Sequence, residues 1–197
     1  MTVNPPFPLD YNLTLQTEFI ALRPLEATDF DKFKAISNFP MWKYFTQDLG
    51  NNNELEVWVN EALKAQEQNT RIPFTILERS TGKVLGSTSF GNISPRDKRL
   101  EIGWTWIGKP FHGTGVNEQI KYLMLKYSFE KLDFERVEAK TDVLNIPARN
   151  ALKKIGMIEE GVLRSHTLMT FGRRRDTIFY SILKSEWNDI KKYNGWL

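Results

Sequence analysis

Cysteine is absent from the 197 residues, and histidine occurs only at His112 and His166. Without thiols there is no disulfide, no thiolate-held zinc or iron–sulfur centre and no cysteine nucleophile. Two histidines this far apart give no metal-ligand spacing. They also give little support for a serine–histidine–aspartate triad, because His166 falls in a strand pattern. No run reaches the roughly 18–20 apolar residues that a membrane span needs. The first ten residues, MTVNPPFPLD, lack the basic stretch and apolar run of a secretory leader. A cytoplasmic protein that does not cross a membrane is therefore expected. Charge of one sign is scarce: 27 Lys and Arg against 24 Asp and Glu leave +3, weak grounds for a nucleic-acid partner. Internal repeats, low-complexity tracts and Pro/Gly/Ser linkers are also missing. Residues 1–197 thus read as one domain, with 1–12 an irregular N-terminal segment and a monomer or homodimer as the assembly.

Apolar and aromatic side chains are plentiful: 41% hydrophobic, with 13 Phe, 6 Tyr and 6 Trp. Alternation predicts strands over 18–23, 72–78, 83–90, 100–107, 136–141, 162–169 and 177–183. Helical spacing of Phe30, Phe33 and Ile36 predicts a first helix, and Leu55, Trp58, Val59, Ala62 and Leu63 a second, capped within Asn51, Asn52 and Asn53. A third runs over 117–132, with Ile120, Leu123, Met124 and Tyr127 on one stripe, and a fourth over 147–155, opened by Pro147 and stopped by Gly156. The order β-α-α-β-β-β-α-β-α-β-β describes an α/β (α+β) fold: a mixed, mostly antiparallel central sheet flanked by helices, with one βαβ crossover.

The most informative segment joins the strand ending Thr105, Trp106, Ile107 to the third helix through His112, Gly113, Thr114, Gly115, Val116 and Asn117. Two glycines one residue apart let the backbone turn tightly, and the helix start adds unpaired N–H groups and the positive end of its dipole. Such a loop binds phosphate without a lysine, although by itself it also suits a plain strand-to-helix turn. It is neither a Walker loop nor a complete dinucleotide fingerprint.

Farther on come Asn145, Ala148, Lys154 and Gly156, in the order Asn-x-x-Ala-…-Lys-x-Gly. The two blocks together resemble the acetyl-coenzyme A dependent N-acetyltransferase superfamily (GNAT). Three more segments narrow the likeness: Ile20 to Leu25 with Asp29; Leu85, Gly86 and Ser87 with Glu101, Ile102 and Gly103; and Asp176, Tyr180, Glu186 and Trp187. These resemble the branch that acetylates ribosomal-protein N-termini, and the likeness runs from about residue 13 to 187. It implies that acetyl-coenzyme A is the cosubstrate, without a metal, and that acetyl passes directly to a primary amine in a ternary complex.

The likeness implies roles residue by residue. His112, Gly113, Thr114, Gly115, Val116 and Asn117 would hold the pyrophosphate. Thr105, Trp106 and Ile107 would bind the pantetheine and thioester carbonyl, and Asn145 would hydrogen-bond the pantetheine unless it is simply a helix cap. The segment with Phe39, Trp42, Tyr44 and Phe45, followed by Trp58, corresponds to the acceptor wall, or else to ordinary core. The chain departs from the pattern at the thiolate's proton donor. Many members place a tyrosine where Leu152 stands, and the ribosomal branch often a serine where Ala148 stands.

The acceptor ammonium must lose a proton before it attacks. Glu101 is the leading candidate base, against the alternative of a solvated strand residue, and His112 is the other titratable group nearby. Arg173, Arg174 and Arg175 read as a solvated hairpin tip rather than a nucleic-acid site, and His166 as a structural or surface residue. Two other classes compete with the enzyme: a coenzyme-binding module of the same fold with weak chemistry, and a ribosome- or RNA-associated protein. The acceptor is expected to be a peptide N-terminus or a small amine.

Overall fold

A computed structural model describes residues 10, 12–38 and 40–196. Phe39 and most of the expected irregular segment 1–12 lie outside the described residues. Among the described residues, eight strands form one sheet in the order β1-β2-β3-β4-β5-β6-β8-β7. The strands are β1 (Leu15–Gln16), β2 (Ile20–Pro24), β3 (Arg71–Glu78), β4 (Val84–Ser94), β5 (Arg99–Ile107), β6 (Arg136–Asp142), β7 (Ile158–Leu168) and β8 (Arg174–Leu183). Only β5 and β6 run parallel, and helix α3 (Val116–Lys126) makes the crossover between them.

β3 and most of β4 are buried on both faces, which explains their near-continuous apolar and small residues. On one face, α1 (Phe30–Ser37) and α2 (Asn52–Glu67) bring Phe33, Leu55, Trp58 and Val59 against Trp106, together with Leu25 and Trp42. The larger cluster on the other face includes Ile120, Leu123 and Met124 of α3, Leu152 of α4 (Ile146–Lys154) and Trp187 of α5 (Trp187–Asn194), packed with Leu100, Ile102 and Ile107. The Asn51 side chain caps α2 through the N–H groups of Asn53 and Glu54, as its position before the apolar stripe predicts.

The observed elements differ from the expected ones chiefly at α3, β7, β8, α5 and β1. α3 stops at Lys126 and widens into a π-helical turn over Tyr127–Lys131, where the Ser128 hydroxyl donates to the Met124 carbonyl. β7 begins at Ile158 rather than 162, because pairing with β8 extends an edge strand that is exposed along most of its length. β8 begins at Arg174 rather than 177, which draws Arg174 and Arg175 out of the turn and into the ladder. α5 and the two-residue β1 carry too short a pattern to read in sequence. α5 is held by Trp187, which packs on Phe129 and donates from Nε1 to Glu130.

Candidate active site

β5 and β6 pair only over Arg99, Leu100 and Glu101 with Arg136, Val137 and Glu138. Beyond that point β5 continues along β4 to Ile107, and β6 continues along β8 to Asp142. The sheet therefore splits just after Glu101, and the loop into α3 lies at the far end of the split. Open sheets bind ligands at such points, where neighbouring strands part.

A bulge in β5 sets which side chains face which side. Ser87 pairs with Trp106 but Ser89 with Gly103, so one residue of β4 faces two of β5. Trp104 takes φ +51°, which an L-residue rarely adopts. The extra residue reverses the alternation. Trp104 and Trp106 join the α1–α2 side, while Thr105 turns toward α3 and hydrogen-bonds the Thr88 hydroxyl at 2.8 Å. Lys121 Nζ donates to Thr105 Oγ1 at 3.3 Å. Lys121 is buried from the inner face of α3, and burial pushes its pKa down to about 8 although the Glu101 carboxylate opposes the shift.

Glu101 is itself 5% exposed. Its Oε2 accepts from Asn92 Nδ2 at 2.7 Å and from Lys140 Nζ at 2.8 Å. Its Oε1 leans over Gly103, only 2.8 Å from where a Cβ on that residue would stand. Glu101 is thus neither free nor solvated: one oxygen is anchored and the other is directed along β5 toward the bulge.

In the loop, Gly113 and Gly115 take φ +74° and +84°, and the space where a Cβ would stand is open at both. Gly115 precedes the first turn of α3, whose N–H groups face the same end of the split. Thr114 Oγ1 donates to the Phe111 carbonyl and His112 Nε2 lies 2.8 Å from the Ile107 carbonyl, so both side chains fasten the loop. Val116 and Asn117 open α3, half-buried. Such a cradle of backbone donors suits a pyrophosphate. Asn145 caps α4 by accepting from Ala148 N–H through Oδ1, which leaves its amide NH2 for other use. Leu152 is buried in the core and Ala148 is half-buried, so neither supplies a proton.

The aromatic segment divides. Trp42 is buried, donates to the Ser37 carbonyl and packs edge-on against Trp106; Trp58 is likewise buried beside Trp106. Tyr44 and Phe45 are half-buried. The β7–β8 turn closes onto this segment: Thr170 Oγ1 donates to the Phe45 carbonyl and Arg173 Nη2 to the Lys43 carbonyl. Arg173 also pairs with Asp142 at the end of β6. Arg175 is half-buried and donates from Nε to Thr177 Oγ1; burial lowers its pKa against the pull of Asp142 and Glu101. A solvated tip therefore describes Arg174 alone, while Arg173 and Arg175 are half-buried, the first against the end of β6 and the second within β8. His166 is exposed, 3.1 Å from Thr177 Oγ1.

Lys121, Lys140 and Asp142 fall within no recognisable motif of the sequence, and Arg175 stood out there only as part of the arginine triplet at the turn. Among the described residues no group of His, Cys, Asp and Glu is placed to hold a metal, and no helix is long and apolar enough to cross a membrane.

Residues 20–158 match the family model of the acetyltransferase (GNAT) domain. The uncharacterized N-acetyltransferase p20 of Bacillus licheniformis is 29% identical over 179 residues, 88% of this chain and 98% of the relative. YdaF of Bacillus subtilis (strain 168), named as a candidate ribosomal N-acetyltransferase, is 34% identical over 110 residues, 56% of this chain and 59% of the relative. Among solved structures, a GCN5-related N-acetyltransferase from Brucella melitensis superposes with a TM-score of 0.85 at 27% identity, over 97% of this chain and 87% of that one. Mycobacterium smegmatis RimJ in complex with CoA-disulfide shares the fold, with a TM-score of 0.75 at 18% identity, over 93% of each chain.

Proposed function

The chain belongs to the acetyltransferase (GNAT) family, and on that premise we propose that it transfers acetyl from acetyl-coenzyme A to a primary amine by direct attack in a ternary complex. The reading takes residues 1–197 as one acetyltransferase domain working in the cytoplasm. Acetyl-coenzyme A supplies an activated thioester. The N–H groups around Gly113, Thr114, Gly115, Val116 and Asn117 hold its pyrophosphate. The β5 edge at Thr105, Trp106 and Ile107, with the Asn145 amide opposite, holds the pantetheine in the split. Trp106 contributes its backbone there, since its side chain is buried in the core. Glu101 takes the acceptor's proton at Oε1 while Lys140 and Asn92 fix Oε2. A positioned carboxylate of this kind contributes about a hundredfold to ten-thousandfold.

The observation that carries the choice of acceptor is the pairing of charge around the split. Its two carboxylates, Glu101 and Asp142, are each engaged by a cation, Lys140 and Arg173, and Arg175 adds further positive charge. A polyamine or aminoglycoside would meet repulsion there rather than a carboxylate cluster. A peptide N-terminus, entering between Tyr44, Phe45 and the β7–β8 turn, brings one positive charge and loses it on reaction. Two measurements test this: melting with and without acetyl-coenzyme A, and an acetylation panel of peptides against polycations. We expect a ligand-dependent rise in melting temperature and acetylation of peptides. Acetylation of a polycation with none of any peptide would overturn the choice of acceptor. The absence of a proton donor at Leu152 and Ala148 favours, as a second reading, a coenzyme-binding module with weak chemistry. Coenzyme binding without thiol release for any amine would support it.

A further inference from the structure

Leu152 and Ala148 leave the departing thiolate without a proton donor on α4, yet a lysine lies across the split from them. We propose that Lys121 is that donor: its ammonium, held against the Thr105 hydroxyl in the β5 bulge, meets the coenzyme A sulfur and protonates it as the carbon–sulfur bond breaks. This rests on the acetyl-transfer reading above.

The geometry carries the assignment. Lys121 sits on the inner face of α3, in the second turn after the loop assigned to the pyrophosphate. A pantetheine arm leaving that loop along β5 passes Thr105 before it reaches Glu101. Lys121 Nζ reaches Thr105 Oγ1 at 3.3 Å, and the chain of hydroxyls continues through Thr88 to Met124 Sδ at 3.4 Å. A lysine ammonium has three N–H donors. Among the described residues Thr105 is the one hydrogen-bond partner of Lys121, so a 5%-exposed cation keeps donors for a ligand. Buried ammonium groups are costly unless paired, and structural ones normally reach a carboxylate. This one does not: Lys140 takes Glu101 instead.

The electrostatic setting agrees. The Glu101 carboxylate of β5 acts electrostatically on Lys121 and on Arg175 of β8, while its direct partner is Lys140 of β6. β4 offers the Thr88 hydroxyl, and Glu118 of α3 is engaged with Lys154 on the outer side. Burial lowers the Lys121 pKa to about 8, so the proton is held at neutral pH and yet readily released.

The step balances. The acceptor nitrogen forms a bond to the thioester carbon, the carbon–sulfur bond breaks, and its electron pair goes to sulfur. Sulfur then takes the Lys121 proton. The acceptor ammonium loses its first proton through Glu101 to solvent before it attacks; the surplus proton left on nitrogen after attack then passes to Glu101 Oε1, and its return through solvent to Lys121 restores both groups.

The test uses the full chain with Lys121→Met and Lys121→Arg, both checked by melting. The first readout needs no turnover: the thiol of bound coenzyme A is titrated by thiolate absorbance. A neighbouring ammonium favours the thiolate, so the bound thiol should titrate at lower pH in wild type and Lys121→Arg than in Lys121→Met. The second readout is the pH profile of acetyl transfer. Wild-type kcat should fall above about pH 8, where Lys121 loses its proton. In Lys121→Met, kcat should drop about a hundredfold or more with that limb gone and KM for acetyl-coenzyme A within a few-fold. Lys121→Arg keeps the charge without a proton to give at pH 8, so it should restore the thiol titration but not the limb. Equal titration of the bound thiol in wild type and Lys121→Met would overturn the proposal while leaving acetyl transfer standing. Failure of the wild type to bind coenzyme A would overturn both.

Discussion

Glu101 and Lys140 meet at 2.8 Å across the point where β5 and β6 part, and Asn92 holds the same carboxylate oxygen at 2.7 Å. The pair fixes the Glu101 side chain and leaves Oε1 directed over Gly103 toward the bulge. Glu101→Gln keeps the shape and removes the proton acceptor. Turnover should fall about a hundredfold or more while acetyl-coenzyme A affinity changes little. Gly103→Ala is the gentler probe, because its Cβ would press on Oε1 at 2.8 Å and displace it. It should lower kcat with the coenzyme KM retained. Wild-type rates for Glu101→Gln at every pH would remove Glu101 as the base.

Gly115 stands at φ +84° with open space where a side chain would go. The Cβ of Gly115→Val therefore meets no neighbour, and its direct cost is the left-handed backbone, about 1–2 kcal/mol. The Cβ would instead occupy the approach to the first N–H groups of α3, where the pyrophosphate is assigned. Calorimetry on a folded Gly115→Val protein should show coenzyme affinity reduced at least tenfold. Unchanged affinity would move the site elsewhere.

Arg173 ties the β7–β8 turn to both Asp142 and the Lys43 carbonyl, beside the contact of Thr170 with the Phe45 carbonyl. Arg173→Ala releases one side of the proposed acceptor wall and frees the Asp142 carboxylate. KM for a peptide acceptor should rise about tenfold while KM for acetyl-coenzyme A stays level, and weak acetylation of polycations should appear. Parallel changes in both KM values would place Arg173 in general stability rather than in the wall.

Lys121 also makes a prediction in the absence of any ligand. Its folded pKa of about 8 lies below the ordinary lysine value of 10.5. Below pH 8 both folded and unfolded chains carry the proton, and the fold bears the full cost of the buried charge, about 3 kcal/mol at roughly 1.4 kcal/mol per unit. Between pH 8 and 10.5 the unfolded chain holds more protons than the folded one, so this cost is relieved as pH rises. Lys121→Met should therefore be more stable than wild type by about 1–3 kcal/mol at pH 7, and the gap should close across that window. Urea unfolding at several pH values measures it. A Lys121→Met protein less stable than wild type at pH 7 would show that the ammonium supports the fold.

Much of the fold was legible because the helices carry clear apolar stripes and punctuated ends: Asn51 before α2, Pro147 and Gly156 around α4. The loop before α3 was legible for a similar reason, since two closely spaced glycines before a helix ask for positive φ, and both adopt it. Arg23 and Asp29, read only as part of a family pattern, prove to be a bidentate pair in which half-buried Arg23 of β2 meets the buried Asp29 at the start of α1. What stayed hidden depends on register and tilt. Lys121 flanks the apolar stripe of α3, and only the packing of α3 on β5 buries it. The Glu101–Lys140 pair needs the parallel register of β5 and β6, which no local pattern encodes. The Trp104 bulge leaves alternating bulky residues on either side, so the change of face at Thr105 has no sequence signature. Arg175 read as turn because the apolar alternation of β8 starts later than its hydrogen bonding.

The central claim, direct acetyl transfer to an amine, is tested most simply by counting thiols. The protein is mixed first with acetyl-coenzyme A alone and then with a peptide bearing a free N-terminus, while released thiol and the masses of protein and peptide are followed. The account predicts no thiol burst and no change in protein mass before the peptide is added, then one thiol for each acetylated peptide. An acetylated protein formed before the peptide is added, or coenzyme binding without thiol release for any amine, would contradict it.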